Sequence, residues 1–314
     1  MIGIRAIATY LPPGRVSNID RRDAAGKDEA FIRDKIGFEQ VARREPGQET
    51  SDLCVAAYAA LDGRPGFDPA QVDCLVVCTQ NPDAHGLPHT SAVVHRKLGL
   101  GQQVACFDIS LGCSGYVYGL SVVTAFMAAN GLRSGLLFTA DPYSKVLDPA
   151  DWDTELLFGD AATVTWLAEQ PVYRCRPAMF GSDGSMGHSI AVAEAGGRLR
   201  MLGSNVFKFS MTAVPAQVQS YLAREGLAAQ DVDLFLFHQG SRFIVDNLAR
   251  KLELPPQKAP FEAAQTGNTV SSSLPLMLQD RMDAPPRRIL LSGFGVGLSW
   301  ATMLLESCST TIED

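Results

Sequence analysis

Two long stretches of this 314-residue chain repeat one order of segments. In the first, AAYAAL leads to DPAQVDCLVVCTQ, then VVHRKLGL, a turn around Cys113, and GLRSGLLFTA. In the second, SYLAREGL leads to AAQDVDLFLFHQ, then DNLARKLEL, TGNTVSSSLPLML and PPRRILLSGFG. Asp73 matches Asp233 at an offset of 160 residues. Arg96-Lys97-Leu98 matches Arg250-Lys251-Leu252, and Arg133 matches Arg287, both at 154. Ordered matches at a near-constant offset mark an internal duplication. The fold must then be two like halves, which we place at 1–169 and 170–314.

Each half alternates apolar strands with helical segments. Residues 72–78 and 234–237 are continuous apolar runs, as suits strands buried on both faces. Residues 52–61 and 215–224 carry apolar side chains at three- and four-residue spacing, which predicts helices. The expectation is an α/β protein of two packed halves, sheets flanked by helices, with a site where the strand ends of both halves meet.

Composition narrows the functional classes. Hydrophobic residues make up 46% of the chain and charged ones 19%, as in a chain that buries a core. A net charge of −7 argues against a nucleic-acid binder, which would be basic, yet it leaves room for a basic patch facing one acidic partner. MIGIRAIATYLPPG reads as a strand ending at Pro12-Pro13, without the basic start and apolar core of a signal peptide. No apolar run approaches the roughly 18 residues of a membrane span. The seven cysteines contain no C-x-x-C pair and mostly lie in apolar runs, as reduced core thiols would. A cytoplasmic location is expected.

One cysteine stands apart. In FDISLGCSGYVYGL a turn of small residues interrupts a strand pattern and opens a helical one, and Cys113 sits in that turn. A cysteine at a helix start is a candidate nucleophile, because unpaired N–H groups and positive potential there favour thiolate. At matched places the second half offers His238, closing LFLFHQ, and Asn268, in TGNTVSS. Alone, such a histidine is commonly a hydrogen-bonded loop residue, and Gly-Asn-Thr an ordinary turn. Together, at corresponding positions of a duplicated fold, the three are a specific constellation.

CSGYVYGL, HQGSRF, GNTVSSSLP and GFGVGLSWA, in that order, resemble the thiolase superfamily and within it the β-ketoacyl-acyl carrier protein synthase III group. The likeness spans the chain and includes LLFGDAATVTWL at 156–167 and SNVFKFS at 204–210. The resemblance implies a duplicated five-layered αβαβα fold and a homodimer. It implies that Cys113 takes an acyl group from a thioester, with no cofactor beyond coenzyme A or phosphopantetheine thioesters as substrates. A malonyl thioester, on coenzyme A or acyl carrier protein, would then lose carbon dioxide, with His238 and Asn268 stabilising the enolate. The oxyanion hole falls on the backbone N–H groups of Cys113 and Val296. Valine serves there provided that its φ is negative.

The same resemblance assigns Phe158, Phe294 and Leu87 to the acyl pocket and its gate. Leu87 would reach across the dimer, and a side chain smaller than the phenylalanine of some members would leave room for a medium-length acyl chain. Coenzyme A would meet Phe31, Lys35 and Trp152, an aromatic pair without the family's cation–π element. Lys208, Arg242, Arg250 and Lys251 match the family's carrier-protein patch, although scattered solvated charges are the commoner origin of such residues.

Other features have plainer readings. His85, His89 and His95 have loosely metal-like spacing but no thiol or carboxylate cluster beside them, so no metal is expected. Gly293-x-Gly295-x-Gly297 lacks the rest of a dinucleotide fingerprint and reads as a tight turn. Decarboxylative condensation leads among the functions. Transfer of the acyl group to an oxygen or nitrogen nucleophile is the alternative, and it needs no enolate-stabilising pair. A silent partner subunit would typically lack the cysteine.

Overall fold

The protein is described as a computed structural model covering residues 1–192 and 197–308. Ten strands make its main sheet: β1 (Gly3–Tyr10), β2 (Cys74–Cys78), β3 (Ala105–Ile109), β4 (Ser134–Ala140), β5 (Ala162–Ala168), β6 (Tyr173–Cys175), β7 (Met179–Ser182), β8 (Leu234–Phe237), β9 (Arg288–Gly295) and β10 (Ser299–Ser307). Their order is β8-β9-β10-β6-β1-β5-β4-β2-β3, with β7 also pairing β10. The principal helices are α1 (Thr50–Ala59), α2 (Thr90–Leu98), α3 (Gly115–Asn130), α4 (Gly203–Glu225), α5 (Arg242–Lys251) and α6 (Ser273–Gln279).

The duplication is visible in the pairing. β2 runs parallel to β4, and antiparallel β5 lies beside β4; β8 runs parallel to β9, and antiparallel β10 lies beside β9. The matched aspartates do one job twice. Asp73 Oδ2 accepts from the Arg133 and Ser134 N–H groups at 2.7 and 3.0 Å, and Asp233 Oδ2 accepts from Arg288 N–H at 2.8 Å. Each fixes the start of the strand parallel to its own.

The half-sheets are not separate. β6 pairs with β10 over three residue pairs and with β1 at Ile4–Tyr173, so the ladder is continuous. Helices complete the five layers. α1 and α2 cover the outer face of β1–β5, and α4 covers β9 and β10, with α5 packed on α4. α3 and α6 lie between the half-sheets and touch strands of both. Tyr116, Val117, Leu120, Val123 and Met127 of α3, with Leu274, Met277 and Leu278 of α6, join one core cluster with Ile4, Val76, Leu137, Leu236, Leu291 and Met303. A helix between two sheets needs apolar side chains around most of its circumference, which explains the near absence of polar residues from GYVYGLSVVTAFM.

The helix expected over 215–224 begins twelve residues earlier, at Gly203, and holds Pro215 in its interior. Proline removes one N–H and so leaves the carbonyl four residues back without its helical donor. That carbonyl, on Met211, accepts instead from Lys251 Nζ of α5 at 2.7 Å.

The halves also lock together at Gly159. Its N–H donates to the Asn268 carbonyl at 2.9 Å, and Asn268 N–H donates to Leu157 O at 2.8 Å. A β-carbon on Gly159 would stand 1.9 Å from the Thr266 carbonyl oxygen. Gly159→Ala is therefore expected to cost about 2 kcal/mol or more, since the clash is with backbone and cannot be relieved by a rotamer. Chemical denaturation of the two proteins measures it.

Candidate active site

Cys113, His238 and Asn268 line one cavity of ≈ 470 Å³. Cys113 lies in the turn between β3 and α3. The turn is tied to β10 by Ser114 Oγ and Ser299 Oγ at 2.6 Å. The end of β9 passes directly beside the thiol, and a β-carbon on Gly295 would stand 2.7 Å from Cys113 Sγ. Next to it, Val296 is not among the residues of positive φ. The backbone N–H groups of Val296 and of Cys113 itself lie near enough to the sulfur to favour its charged form.

His238 follows β8, and its N–H donates to Ser292 O of β9 at 2.9 Å. Its Nδ1 pairs with Ser273 Oγ at 2.8 Å, and Phe294 meets the ring edge-on at 5.6 Å. Asn268 Oδ1 accepts from Val270 N–H at 2.9 Å, which orients the amide, while its Nδ2 has no partner among the described residues. The turn after Asn268 needs a φ of +54° at Val270, a β-branched residue. Such strain persists only where the surroundings over-determine it, and it gathers at functional sites.

Electrostatics corrects one expectation. Burial pushes the Cys113 thiol up to about 12, and the Asp141 carboxylate adds to this; the two N–H groups act in the opposite direction and are outweighed. The resting residue is a thiol and not the thiolate expected from a helix start alone. Burial pushes His238 down to about 3, offset only in part by a backbone hydrogen bond with Val270, so its ring is neutral. Asp141 was not foreseen. It is fully buried, accepts from Gln80 N–H at 2.7 Å and from the Ser271 hydroxyl, and so ties a strand end of the first half to the segment after Asn268. Burial raises its carboxyl to about 6 against those hydrogen bonds.

Phe158 and Phe294 line the cavity, as do Phe31 and Lys35. Trp152 is not among the lining residues. It packs with Phe31 on a small core around Ile32 and Phe38, while Asp153 beside it faces the cavity. The site does not lack cations against rings. Lys27 Nζ lies 4.8 Å from the Phe31 ring, the Arg21 guanidinium 5.8 Å from Trp152, and Lys35 Nζ 5.6 Å from Phe243. Phe243 stacks on Phe207 at 5.1 Å, and both line the cavity. These two were legible only as letters in SRF and SNVFKFS. Tyr143, also missed, stacks on Phe158 at 4.8 Å, and its hydroxyl bonds Gln80 Oε1 at 3.0 Å. Leu87 is 86% exposed and lies outside this cavity.

The four cations of the expected patch divide. Lys208 and Arg250 are exposed on α4 and α5. Lys251 is committed to Met211 O, and Arg242 donates to Arg33 O at 3.0 Å with its guanidinium 4.6 Å from Phe261. His89 and His95 serve locally, at 2.7 Å from Ser91 Oγ and 2.9 Å from Gly101 O. Among the described residues, no helix is long and apolar enough to cross a membrane.

A cysteine at the foot of a helix buried between two like half-sheets, with a histidine and an asparagine from the other half in its cavity, is the arrangement of a thiolase-fold enzyme. Residues 107–184 match the family 3-oxoacyl-[acyl-carrier-protein] synthase III, and residues 222–307 match its C-terminal part. A β-ketoacyl-[acyl-carrier-protein] synthase III of Streptomyces coelicolor is 34% identical over 307 residues, covering 95% of this chain and 92% of that protein. A crystal structure of a 3-oxoacyl-(acyl-carrier-protein) synthase III superposes with a TM-score of 0.90 at 32% identity, covering 97% of this chain and 99% of that one. The priming β-ketosynthase of a polyketide biosynthetic pathway gives 0.88 at 28% identity, covering 98% and 96%. The chain belongs to the β-ketoacyl-[acyl-carrier-protein] synthase III family.

The two buried groups oppose each other in acid. Below a pH of about 6.5 the unfolded chain protonates His238 while the folded one does not, so stability falls toward pH 3 by up to roughly 1.4 kcal/mol per unit. The folded-state pKa of Asp141 is raised, so its contribution is fully present below about pH 4 and is lost as pH rises through about 6. Between these limits the slopes offset. Asp141→Asn is expected to lose stability more steeply than wild type on acidification from pH 6 to pH 4, read by denaturation midpoints across that range.

Proposed function

We propose that this protein condenses an acyl thioester with a malonyl thioester, with loss of carbon dioxide, through an acyl–Cys113 intermediate. The observation that carries this reading is the one cavity that brings Cys113 together with His238 and Asn268, with the backbone N–H groups of Cys113 and Val296 beside the sulfur. Fixed donors at that point stabilise the oxyanion formed when a thioester carbonyl is attacked. Acyl transfer to Cys113 breaks the C–S bond of the donor and forms a new one. The malonyl group then loses carbon dioxide, and its enolate oxygen meets His238 and the unpartnered Nδ2 of Asn268. A neutral imidazole suits this role, because it can donate without itself carrying charge. The carbanion attacks acyl-Cys113, expels the sulfur and leaves a 3-oxoacyl product. Transfer of the acyl group to an oxygen or nitrogen nucleophile would have no use for the second pair of donors.

The acyl group lies toward Tyr143, Phe158 and Phe294, and the pantetheine arm toward Ser204 and the Phe207–Phe243 pair, with Phe31 and Lys35 placed for the nucleotide. Lys208 and Arg250 offer an acidic carrier protein its positive contacts. The working assembly is a homodimer. Among the described residues β3 ends the sheet with one edge unpaired, and its Phe107 packs on Phe126 of α3 at 5.3 Å. A free apolar edge strand is an aggregation hazard unless covered, and a second copy of this chain covers it and brings Leu87 to the neighbouring pocket.

Cys113→Ala is expected to fold but to take no acyl label from acyl-CoA, while Cys106→Ala labels normally; intact-protein mass spectrometry decides. His238→Ala and Asn268→Ala should still be acylated, yet release carbon dioxide from malonyl thioester slower by on the order of 10²-fold or more. Near-normal decarboxylation by either would remove that residue from the mechanism.

Chain length gives a further test. If Leu87 of one protomer lines the pocket of its partner, Leu87→Phe should lower the ratio of octanoyl-CoA to acetyl-CoA acylation rates by tens-fold, at about 0.8 kcal/mol per lost methylene contact. The thermal midpoint and acetylation rate should stay unchanged. An unmoved ratio would take Leu87 out of the pocket and with it the argument for medium chains.

A further inference from the structure

Two parts of the main cavity's wall differ in the charge around them. Phe31 stands in a segment, residues 18–39, that carries five basic and six acidic side chains. Arg21 pairs with Glu155 at 2.9 Å, Arg22 with Asp23 at 3.6 Å and Lys27 with Asp153 at 3.1 Å, while Arg33 pairs with Glu29 and Glu39. Of the five, Lys35 alone has no carboxylate partner among the described residues. Lys35 and Asp153 are also the charged members of the cavity wall, so the wall itself has no net charge. At α4 and α5 the character changes. Phe243 is 36% exposed and stacks on Phe207, and Leu202, just before α4, is 48% exposed. Lys208 follows Phe207, and Arg250 lies about two turns along α5 from Phe243. Both are exposed, and neither has a carboxylate partner among the described residues. Exposed apolar rings beside free cations suit the docking of an acidic protein.

We propose that the acyl donor of the first half-reaction, and not only the malonyl group, arrives on an acidic carrier protein docked at α4 and α5. The proposal rests on the condensing reading above and names the donor that the same site takes. Coenzyme A carries a pyrophosphate and a 3′-phosphate, about four negative charges in all. Beside Phe31 those charges meet one free cation, because Lys27 is held by Asp153. On a carrier protein the same arm ends in a phosphodiester of about one charge. The carrier's remaining negative charge lies on its own surface, where Lys208 and Arg250 face it. Phe207 and Phe243 then cover the arm where it leaves the carrier. The donor's acyl C–S bond breaks as the bond to Cys113 forms, and the Cys113 thiol proton ends on the freed phosphopantetheine thiol. Coenzyme A esters follow the same arm and still label Cys113, but more slowly.

Adduct formation on Cys113, followed by mass spectrometry of the intact protein, tests this with one octanoyl group on three donors: a bacterial acyl carrier protein, coenzyme A and pantetheine. Wild type should favour the carrier over coenzyme A in kcat/KM by on the order of tenfold or more. Coenzyme A should do no better than pantetheine, which lacks the nucleotide. Lys208→Glu combined with Arg250→Glu should lower the carrier-to-coenzyme A ratio by about tenfold. Asp153→Asn, which frees Lys27, should lower the same ratio by raising the coenzyme A rate about fivefold. Each variant is compared at an unchanged thermal midpoint. The malonyl form of the same carrier, offered to the acylated enzyme, reports whether that carrier docks. A carrier that condenses as its malonyl form yet donates octanoyl no faster than coenzyme A would overturn the carrier-borne donor alone. A ratio unmoved by reversing the charges at 208 and 250, or a carrier that serves in neither step, would overturn the docking surface and the proposal with it. A wild-type protein that forms no adduct on Cys113 from any donor would instead overturn the condensing reading.

Discussion

Helix α3 is buried between two half-sheets, and each group at the site is placed with reference to it. Its N-terminal turn carries Cys113, it shares one core cluster with α6, and the segment leading into α6 carries Asn268. Apolar burial is non-directional and cannot by itself place a thiol beside a histidine. Direction comes from the polar contacts at the ends of this layer. Asp141 reaches Gln80 and Ser271, Ser114 reaches Ser299, and Gly159 reaches Asn268. The hydrophobic layer supplies cohesion, and the few buried polar bridges supply register between the halves.

The same burial sets the chemistry. Burial works against charge on both groups, so Cys113 rests as a thiol and His238 as a neutral ring. Fixed N–H groups count for more in such buried surroundings, where the effective dielectric is low.

Much of this was legible from the chain. The matched aspartates, the apolar strands and the positions of Cys113, His238 and Asn268 follow from local pattern and a near-constant offset, which the duplication turns into geometry. What escaped was decided by contacts distant in sequence. Asp141 lies in an unremarkable ADPYS segment, and only the fold brings Ser271 to it. Pro215 looked like a helix start, because nothing local shows that a lysine thirty-six residues later will satisfy the carbonyl it frees. The ionisation of Cys113 was misjudged for a related reason: a helix start is a local feature, whereas desolvation belongs to the assembled interior. Trp152 was placed against the substrate by motif alone; in the fold it is half-buried and rests on the small core around Ile32 and Phe38.

The contact between Lys251 and the Met211 carbonyl gives the cavity mouth a property of its own. α4 bears Phe207 and α5 bears Phe243, and the lysine staples one helix to the other across the turn that Pro215 leaves open. The charge of Lys251 and the spacing of the helices that carry the aromatic pair are thereby linked. Chemistry that neutralises or lengthens the lysine therefore acts on the join between the two helices as well as on surface charge.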